Sequence, residues 1–336
     1  LINVQKVFEH IDRYAEIITK DTCIPGISIA ATDREKTLGI YTQGFSDLSA
    51  KTPITSDSLF ETASIGKSFT AIVLLQLYDE GVLDLHAPVE KYLPWFKVDS
   101  VYPSITLHHL LGHTAAIIRG TEQAPHGLYD SWALRETQTA FPPGEHWHYS
   151  SIGYKVLGFL MERLTGKALK ELIQSRILDP LGMTGTYPVI DFETHKLAAV
   201  GYCSLYDDRP ECPDHELVPA MWNEYSTGDG CQASTAVDMA IFVRMLLNRG
   251  AGPNSRLISE ESFFHMAPLA QRTDKEQYGY ALVSYPVDGH VYLGHGGGNA
   301  GYSSHILADV DESLGVVVLT NRRTESEAVY RLAEYV

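Results

Sequence analysis

Cysteine is scarce in this chain: Cys23, Cys203, Cys212 and Cys231 are the only four among 336 residues. None belongs to a C-x-x-C pair, so neither a thiolate zinc site nor a disulfide-stapled fold is indicated. Cys203 and Cys212 are near enough to pair across a loop, but buried reduced thiols are the reading that sparse cysteine favours. That points to a reducing compartment such as the cytoplasm. A secreted or periplasmic chain that has lost its leader is the alternative, since the sequence opens at Leu1 without methionine or a signal-like segment.

Basic runs are missing too. Lys and Arg number 26 against 42 Asp and Glu, a formal charge of −16. With nothing to offset it, that charge excludes nucleic acid and anionic membrane as partners. No apolar stretch approaches the ~20 residues of a transmembrane span; the most apolar one, Phe69 to Leu77, is broken by Gln76 and followed by Asp79. Internal repeats and low-complexity tracts are absent. His108, His109, His113, His146 and His148 lie close in sequence, yet there is no His-Glu-x-x-His and no acidic third ligand nearby. They read as structural histidines, and no metal or cofactor is expected.

What is present begins with FETASIGKSFTAIVLLQLYDE, residues 60 to 80. Ser64 and Lys67 are three apart, and residues so spaced share a helix face, about 5–6 Å apart at Cβ. A helix starting near Ala63 puts Ser64 in its first turn, where unpaired N–H groups and the positive dipole end suit an anion forming on a carbonyl. The rest of the helix is apolar all round and therefore buried, with Gly81 as the C-cap. A lysine heading a buried helix has little to offer packing. Ser64 reads as a nucleophile and Lys67 as the group that helps remove its proton. Gly66-Lys67-Ser68 also resembles the end of a phosphate loop, but Glu61 stands where that loop needs glycine.

Before this helix, the period of Asn3 to Lys20 predicts another, and Ile27–Ala31 with Leu38–Tyr41 predict a hairpin about Asp33-Arg34-Glu35-Lys36. Residues 82 to about 224 carry short helical patterns: Leu107–His113, Ser151–Thr165 ended by Gly166, and Ala168–Leu178 stopped by Asp179-Pro180. Residues 201–224 read as a long ordered loop. Helices follow at Ala236–Leu247 and Glu260–Met266. Strands are expected at Tyr280–Tyr285, Val291–Leu293, Ser303–Ala308 and Leu314–Thr320, then a helix over Glu325–Tyr335. The expected fold is α/β plus α: one antiparallel sheet built from both chain ends (1–81 and 225–336) and flanked by helices, with an inserted mainly helical region at 82–224.

Two further stretches give Ser64 company. FPPGEHWHYSSIGY places Tyr149 in a proline-led loop before a buried helix, and GHGGGNAG crowds glycine beside His295 after a strand. Glycine there lets another backbone approach, as laying a peptide-like substrate along a sheet edge requires. With Ser64-x-x-Lys67, ITLHHLLGHTAAI, FPPGEHWHYSSIGYKVLG, ILDPLGMTGT, GDGCQASTAVDMAIFVRMLLN and LGHGGGNAGYSS in order, nearly the whole chain resembles the serine hydrolases related to class C β-lactamases and low-molecular-weight penicillin-binding proteins. That group includes D-peptidases and carboxylesterases.

The resemblance implies that Ser64 forms an acyl-enzyme and that the oxyanion sits between the N–H groups of Ser64 and Gly298, typically worth ~3 kcal/mol per donor. Gly297 and Ser151 are the further substrate-binding positions. Lys67 and Tyr149 share the proton traffic, with the base role open between them. His295 stands where the β-lactamases carry the lysine of K-T-G, a change that implies peptidase, amidase or esterase activity. Two departures accompany it. Ser151 replaces the asparagine of Tyr-x-Asn and cannot give and accept at two separated points; Ala115-Ala116 replaces a Ser-Gly turn. Trp147, Trp222 and Tyr302 are pocket or core residues alike. Asp207, Asp208, Glu211 and Asp214, if they overhang the site, favour amine substrates. The expected activity is Ser64-dependent hydrolysis of an amide or ester of a small peptide, with β-lactams among the ligands. Acyl transfer or peptide cyclisation, and a penicillin-binding sensor that acylates without turnover, are the alternatives.

Overall fold

The computed structural model describes residues 4–120, 126–206, 216–267, 277–287, 290–324 and 328–336. Asp207, Asp208, Glu211, Cys212 and Asp214 lie outside them, so neither a Cys203–Cys212 pair nor the acidic overhang is described.

Helix α1 (Val4–Thr22) leads into strands β1 (Gly26–Thr32) and β2 (Thr37–Asp47). Asp33 closes the hairpin, its Oδ1 accepting the N–H groups of Glu35 and Lys36 at 2.7 Å each. A short β3 (Thr52–Pro53) follows on the edge. The remaining strands come from the far end of the chain: β4 (Gln277–Tyr278), β5 (Val283–Val287), β6 (His290–Asn299), β7 (Tyr302–Asp309) and β8 (Leu314–Thr320). They form one antiparallel sheet in the order β3-β2-β1-β8-β7-β6-β5-β4. The first and last strands of the chain are therefore neighbours, with Ile29 opposite Val318 and Ala30 opposite Val317.

Period-two alternation divides the core. Ile27, Ile29, Val316 and Val318 face α1 and the C-terminal helix (Ala328–Tyr335). Ala30, Val317 and Leu319 face the other way, toward the helix Ala236–Leu247. Beyond that helix lies α2 (Gly66–Asp79), joined to it by Phe69 stacked on Phe242 at 4.5 Å. Ile72, Val73, Leu74 and Leu75 of α2 are fully buried. Truncating one of them to alanine would cost about 2–5 kcal/mol. α4 (Ser151–Thr165) packs on α2 and on α3 (Leu107–Leu111). Ser150 caps α4 by accepting the Gly153 N–H, and Gly166 ends it at φ +69°.

Three stretches differ from the sequence expectation. The helical path from Leu169 does not stop at Asp179-Pro180. It widens through a π turn at Gln174–Leu178, so Pro180 falls in the first turn of a new segment where its missing N–H costs nothing, and Gly182 ends it at φ +73°. Residues 201–224 contain a paired Tyr202–Ser204 and Leu217–Pro219. The glycine run lies inside β6 rather than after it: Gly296, Gly297 and Gly298 pair with His305, Ser304 and Ser303.

Candidate active site

Ser64 sits on a turn that several elements hold. Phe60–Glu61 pairs with Ala233–Ser234, and the Thr62 N–H donates to the Gln232 carbonyl at 2.9 Å. Ala63 then takes a left-handed φ of +49°, and Ala63–Ile65 forms one 3-10 turn before α2. A non-glycine residue there stores about 1–3 kcal/mol, which persists only when its surroundings dictate it. They do: a Cβ on Gly230 would lie 2.3 Å from the Ala63 carbonyl oxygen, and one on Gly297 would lie 2.2 Å from that of Thr62. Glycine at both positions lets β6 and the 228–232 loop close on the serine turn.

Lys67 is fully buried and donates to Ser64 Oγ at 3.1 Å and to the Asp229 carbonyl at 2.7 Å. Its Nζ stands 5.0 Å from the centroid of the Tyr149 ring. Tyr149 enters from the loop preceding α4, its ring tilted 43° to that of His113 at 4.3 Å, with the Arg119 guanidinium carbon 5.6 Å from the Tyr149 ring centroid. Among the described residues its hydroxyl makes no hydrogen bond to Ser64 or Lys67.

His295 is buried on β6 and makes two hydrogen bonds, Nδ1 to the Gly296 carbonyl at 2.6 Å and Nε2 to the Tyr278 hydroxyl at 3.0 Å. Burial, and then the Lys67 charge, push its pKa down to about 4. It is neutral at pH 7. The same Tyr278 hydroxyl meets His113 Nε2 at 3.1 Å, and the Ser150 N–H donates to His113 Nδ1 at 3.1 Å. Burial holds His113 well below the ordinary histidine range as well.

Ser64, Tyr149, His295 and Gly298 line one cavity of about 370 Å³, together with Arg119, Trp147, Gly296 and Arg323. A niche of about 10 Å³ between Ser64, Gly230, Gly298 and Asn299 is about the size of one water-sized group. Lys67 lies beneath, so these four predicted residues and the lysine converge. Gly297 is the contact to Thr62. Ser151 is fully buried on the first turn of α4, and its Oγ has no hydrogen-bond partner among the described residues. It does not line this cavity. Trp147 does, whereas Tyr302 is a core residue donating to the Ala199 carbonyl at 2.6 Å, and Trp222 stacks on His195 at 4.1 Å.

Sequence reasoning missed three contributors. Asp229 acts through a backbone carbonyl, which leaves no side-chain signal. Tyr278 is one tyrosine among many, and only the fold brings it between two histidines. Glu61 is buried beside the site, bonded by Asn299 Nδ2 at 2.5 Å; burial raises its pKa to about 7. A charged residue just before an apolar helix was its only mark.

A sheet drawn from both chain ends, with a Ser-x-x-Lys helix buried against it, defines the β-lactamase/transpeptidase-like fold. A family model described as Beta-lactamase matches residues 9–336, and the chain belongs to that family, whose members are generally serine hydrolases. It is 27% identical over 317 residues to Penicillin-binding protein 4* of Bacillus subtilis (strain 168), covering 87% of this chain and 68% of that one. Esterase EstB of Burkholderia gladioli is 32% identical over 162 residues, 42% of this chain and 41% of its own. Among solved structures, the octameric penicillin-binding protein homologue from Pyrococcus abyssi superposes with a TM-score of 0.82 at 27% identity, covering 99% of this chain and 76% of its own. A class C β-lactamase gives the same TM-score, 0.82, at 19% identity over 99% of this chain and 96% of its own, a likeness of fold.

Proposed function

We propose that the protein is a serine hydrolase that opens amide or ester bonds of small peptides or related compounds through a Ser64 acyl-enzyme. The observation that carries this reading is the 3.1 Å contact between Lys67 Nζ and Ser64 Oγ at the floor of an open cavity. Ser64 Oγ attacks the carbonyl carbon, and its proton passes through Lys67 and Tyr149 to the departing oxygen or nitrogen. The oxyanion is held in the niche by the N–H groups of Ser64 and Gly298. Water then adds to the acyl carbon, with Tyr149 as base, and Ser64 is released. In this reading the site lies where the helical insertion, residues 82–224, meets the sheet region of 1–81 and 225–336. The resemblance to penicillin-binding proteins and to an esterase supports β-lactams and esters as ligands, and no cofactor enters the chemistry.

The test is intact-mass analysis after exposure to a β-lactam and to D- and L-peptide amides and aryl esters, beside Ser64→Ala. A Ser64-dependent adduct with released product is expected; adducts or turnover surviving in Ser64→Ala would sink the mechanism. A second reading, acylation without turnover, is motivated by the buried, unpartnered Ser151 in place of asparagine. A long-lived adduct without product would favour it.

A further inference from the structure

Beyond Tyr149 and His295 the site opens into a second cavity of about 740 Å³, walled by Trp147, Tyr149, Tyr278, Val283 and Tyr285. It shares Trp147, Tyr149, His295 and Gly296 with the cavity that holds Ser64, so a molecule bonded at Ser64 can extend into it. Both arginines of the site, Arg119 and Arg323, line the Ser64 side alone. We infer that this second cavity takes the leaving portion of the substrate, and that this portion is an uncharged apolar or aromatic alcohol or amine. The inference rests on Ser64-dependent acyl transfer and names the substrate class for it.

The side of the site follows from the proton. When the tetrahedral adduct collapses, the carbon–oxygen or carbon–nitrogen bond breaks and the departing atom takes up the proton that left Ser64 Oγ. Lys67 and Tyr149 relay that proton, and Tyr149 is the wall common to both cavities. The oxyanion niche lies away from it, between Ser64 and Gly298. The released alcohol or amine therefore departs past Tyr149, while the acyl part stays on Ser64.

The absence of charge follows from a directed chain of hydrogen bonds. The Ser150 N–H can only donate, so His113 Nδ1 accepts and His113 Nε2–H donates to the Tyr278 oxygen. At the other end the Gly296 carbonyl can only accept, so His295 Nδ1–H donates to it and His295 Nε2 accepts from the Tyr278 hydroxyl. Each imidazole thus carries one proton. Burial and the Lys67 charge, with the Tyr278 hydroxyl donating to Nε2, keep His295 a neutral group where the resembled β-lactamases carry a lysine. No described residue lining the second cavity is charged at neutral pH, and Trp147, Tyr149, Tyr278 and Tyr285 supply four aromatic rings to its wall beside the uncharged Thr114 and Gln277. A carboxylate entering it would lose its water without gaining a cation, whereas a phenyl group would find ring faces.

The test is a series of esters sharing one acyl group, with phenol, 4-hydroxybenzoate or methanol as leaving group, each rate taken relative to alkaline hydrolysis. The phenyl ester is expected to exceed the carboxyphenyl ester at least tenfold in kcat/KM; equal rates, or preference for the carboxylate, would overturn the inference. Val283→Trp, which fills the cavity, should lower the phenyl-to-methyl ratio at least tenfold, and an unchanged ratio in a folded variant counts against it. Tyr278→Phe keeps the ring but removes the hydroxyl that donates to His295 Nε2. The other titratable groups facing His295 are Lys67 from α2, His113 from the loop after α3, Tyr149 from the loop before α4 and His305 from β7. In this variant the carboxyphenyl ester should gain on the phenyl ester as pH falls from 8 to 5.5, with the wild-type ratio flat; a flat ratio in the variant removes the role given to Tyr278. Turnover without leaving-group preference defeats this inference alone. If no ester acylates Ser64 by mass, the acyl-enzyme reading fails and this one with it.

Discussion

Lys67 Nζ lies 5.0 Å from the centre of the Tyr149 ring while bonded to Ser64 Oγ at 3.1 Å. The Lys67 amino group thus meets the nucleophile directly and the tyrosine through its ring. Catalytic hydrogen bonds are often loose before substrate arrives and tighten afterwards. The two residues should consequently separate in kinetics. Lys67→Ala is expected to slow acylation at least about a thousandfold, close to Ser64→Ala. Tyr149→Phe should slow deacylation more than acylation, so that pre-steady-state traces show a burst absent from the wild type. Equal slowing of both steps would remove Tyr149 as the deacylating base.

Glu61 gives a pH signature. Burial raises its pKa from the usual 4.5 to about 7, against the opposing pull of the Asn299 amide. Between those values the folded protein binds a proton that the unfolded chain has released, so stability falls as pH rises from about 4.5 to 7. The loss over that window is on the order of 3 kcal/mol. Glu61→Gln keeps an oxygen for Asn299 and cannot ionise. The difference in unfolding free energy between variant and wild type should grow from pH 4.5 to 7 and level off above it. Urea titrations across that range would show a constant difference if Glu61 is not the group.

Ala116 stands where resembled relatives carry the glycine of Thr-Ser-Gly, and its φ is +59°. An L-residue with a Cβ there costs about 1–2 kcal/mol relative to glycine. Ala116→Gly is expected to stabilise the protein by about 1 kcal/mol, less the entropy glycine adds to the unfolded chain. A fall in Tm would mean that the Ala116 methyl packs better than its backbone suffers.

Ser151 invites the opposite substitution. Its Oγ is buried without a partner among the described residues, and deleting an unsatisfied polar group is close to neutral or stabilising. Ser151→Ala should shift stability by less than about 1 kcal/mol and leave kcat/KM within about threefold, because nothing ties the hydroxyl to Lys67. A large loss of activity in a folded variant would give Ser151 a part in binding substrate.

How far the sequence led depended on the kind of signal. Ser150, Thr235 and Ser259 cap helices whose apolar period runs unbroken behind them, and the spans Ser151–Thr165, Ala236–Leu247 and Glu260–Met266 coincide with expectation. Val316-Val317-Val318 is β-branched and lies in the sheet interior as read. The glycines of β6 carry no strand propensity, since what keeps them extended is pairing with β7 and the close approach of Thr62. Ser64, Lys67, Tyr149 and His295 were legible because each type of side chain has its own chemistry in its own setting. The Tyr278 link was not, because tertiary structure alone places one hydroxyl between two rings.

The pairing of β1 with β8 bears on how the protein is made. An emerging chain presents the β1–β2 hairpin and the serine helix early, but β1 meets its second neighbour only once residues 314–320 have left the ribosome. Contacts of such long sequence separation form slowly and leave strand edges open meanwhile. The wall that β6 supplies to the Ser64 turn arrives similarly late. Each nascent molecule thus carries its nucleophile long before it carries a pocket, and chemistry at Ser64 waits until β6, β7 and β8 have emerged.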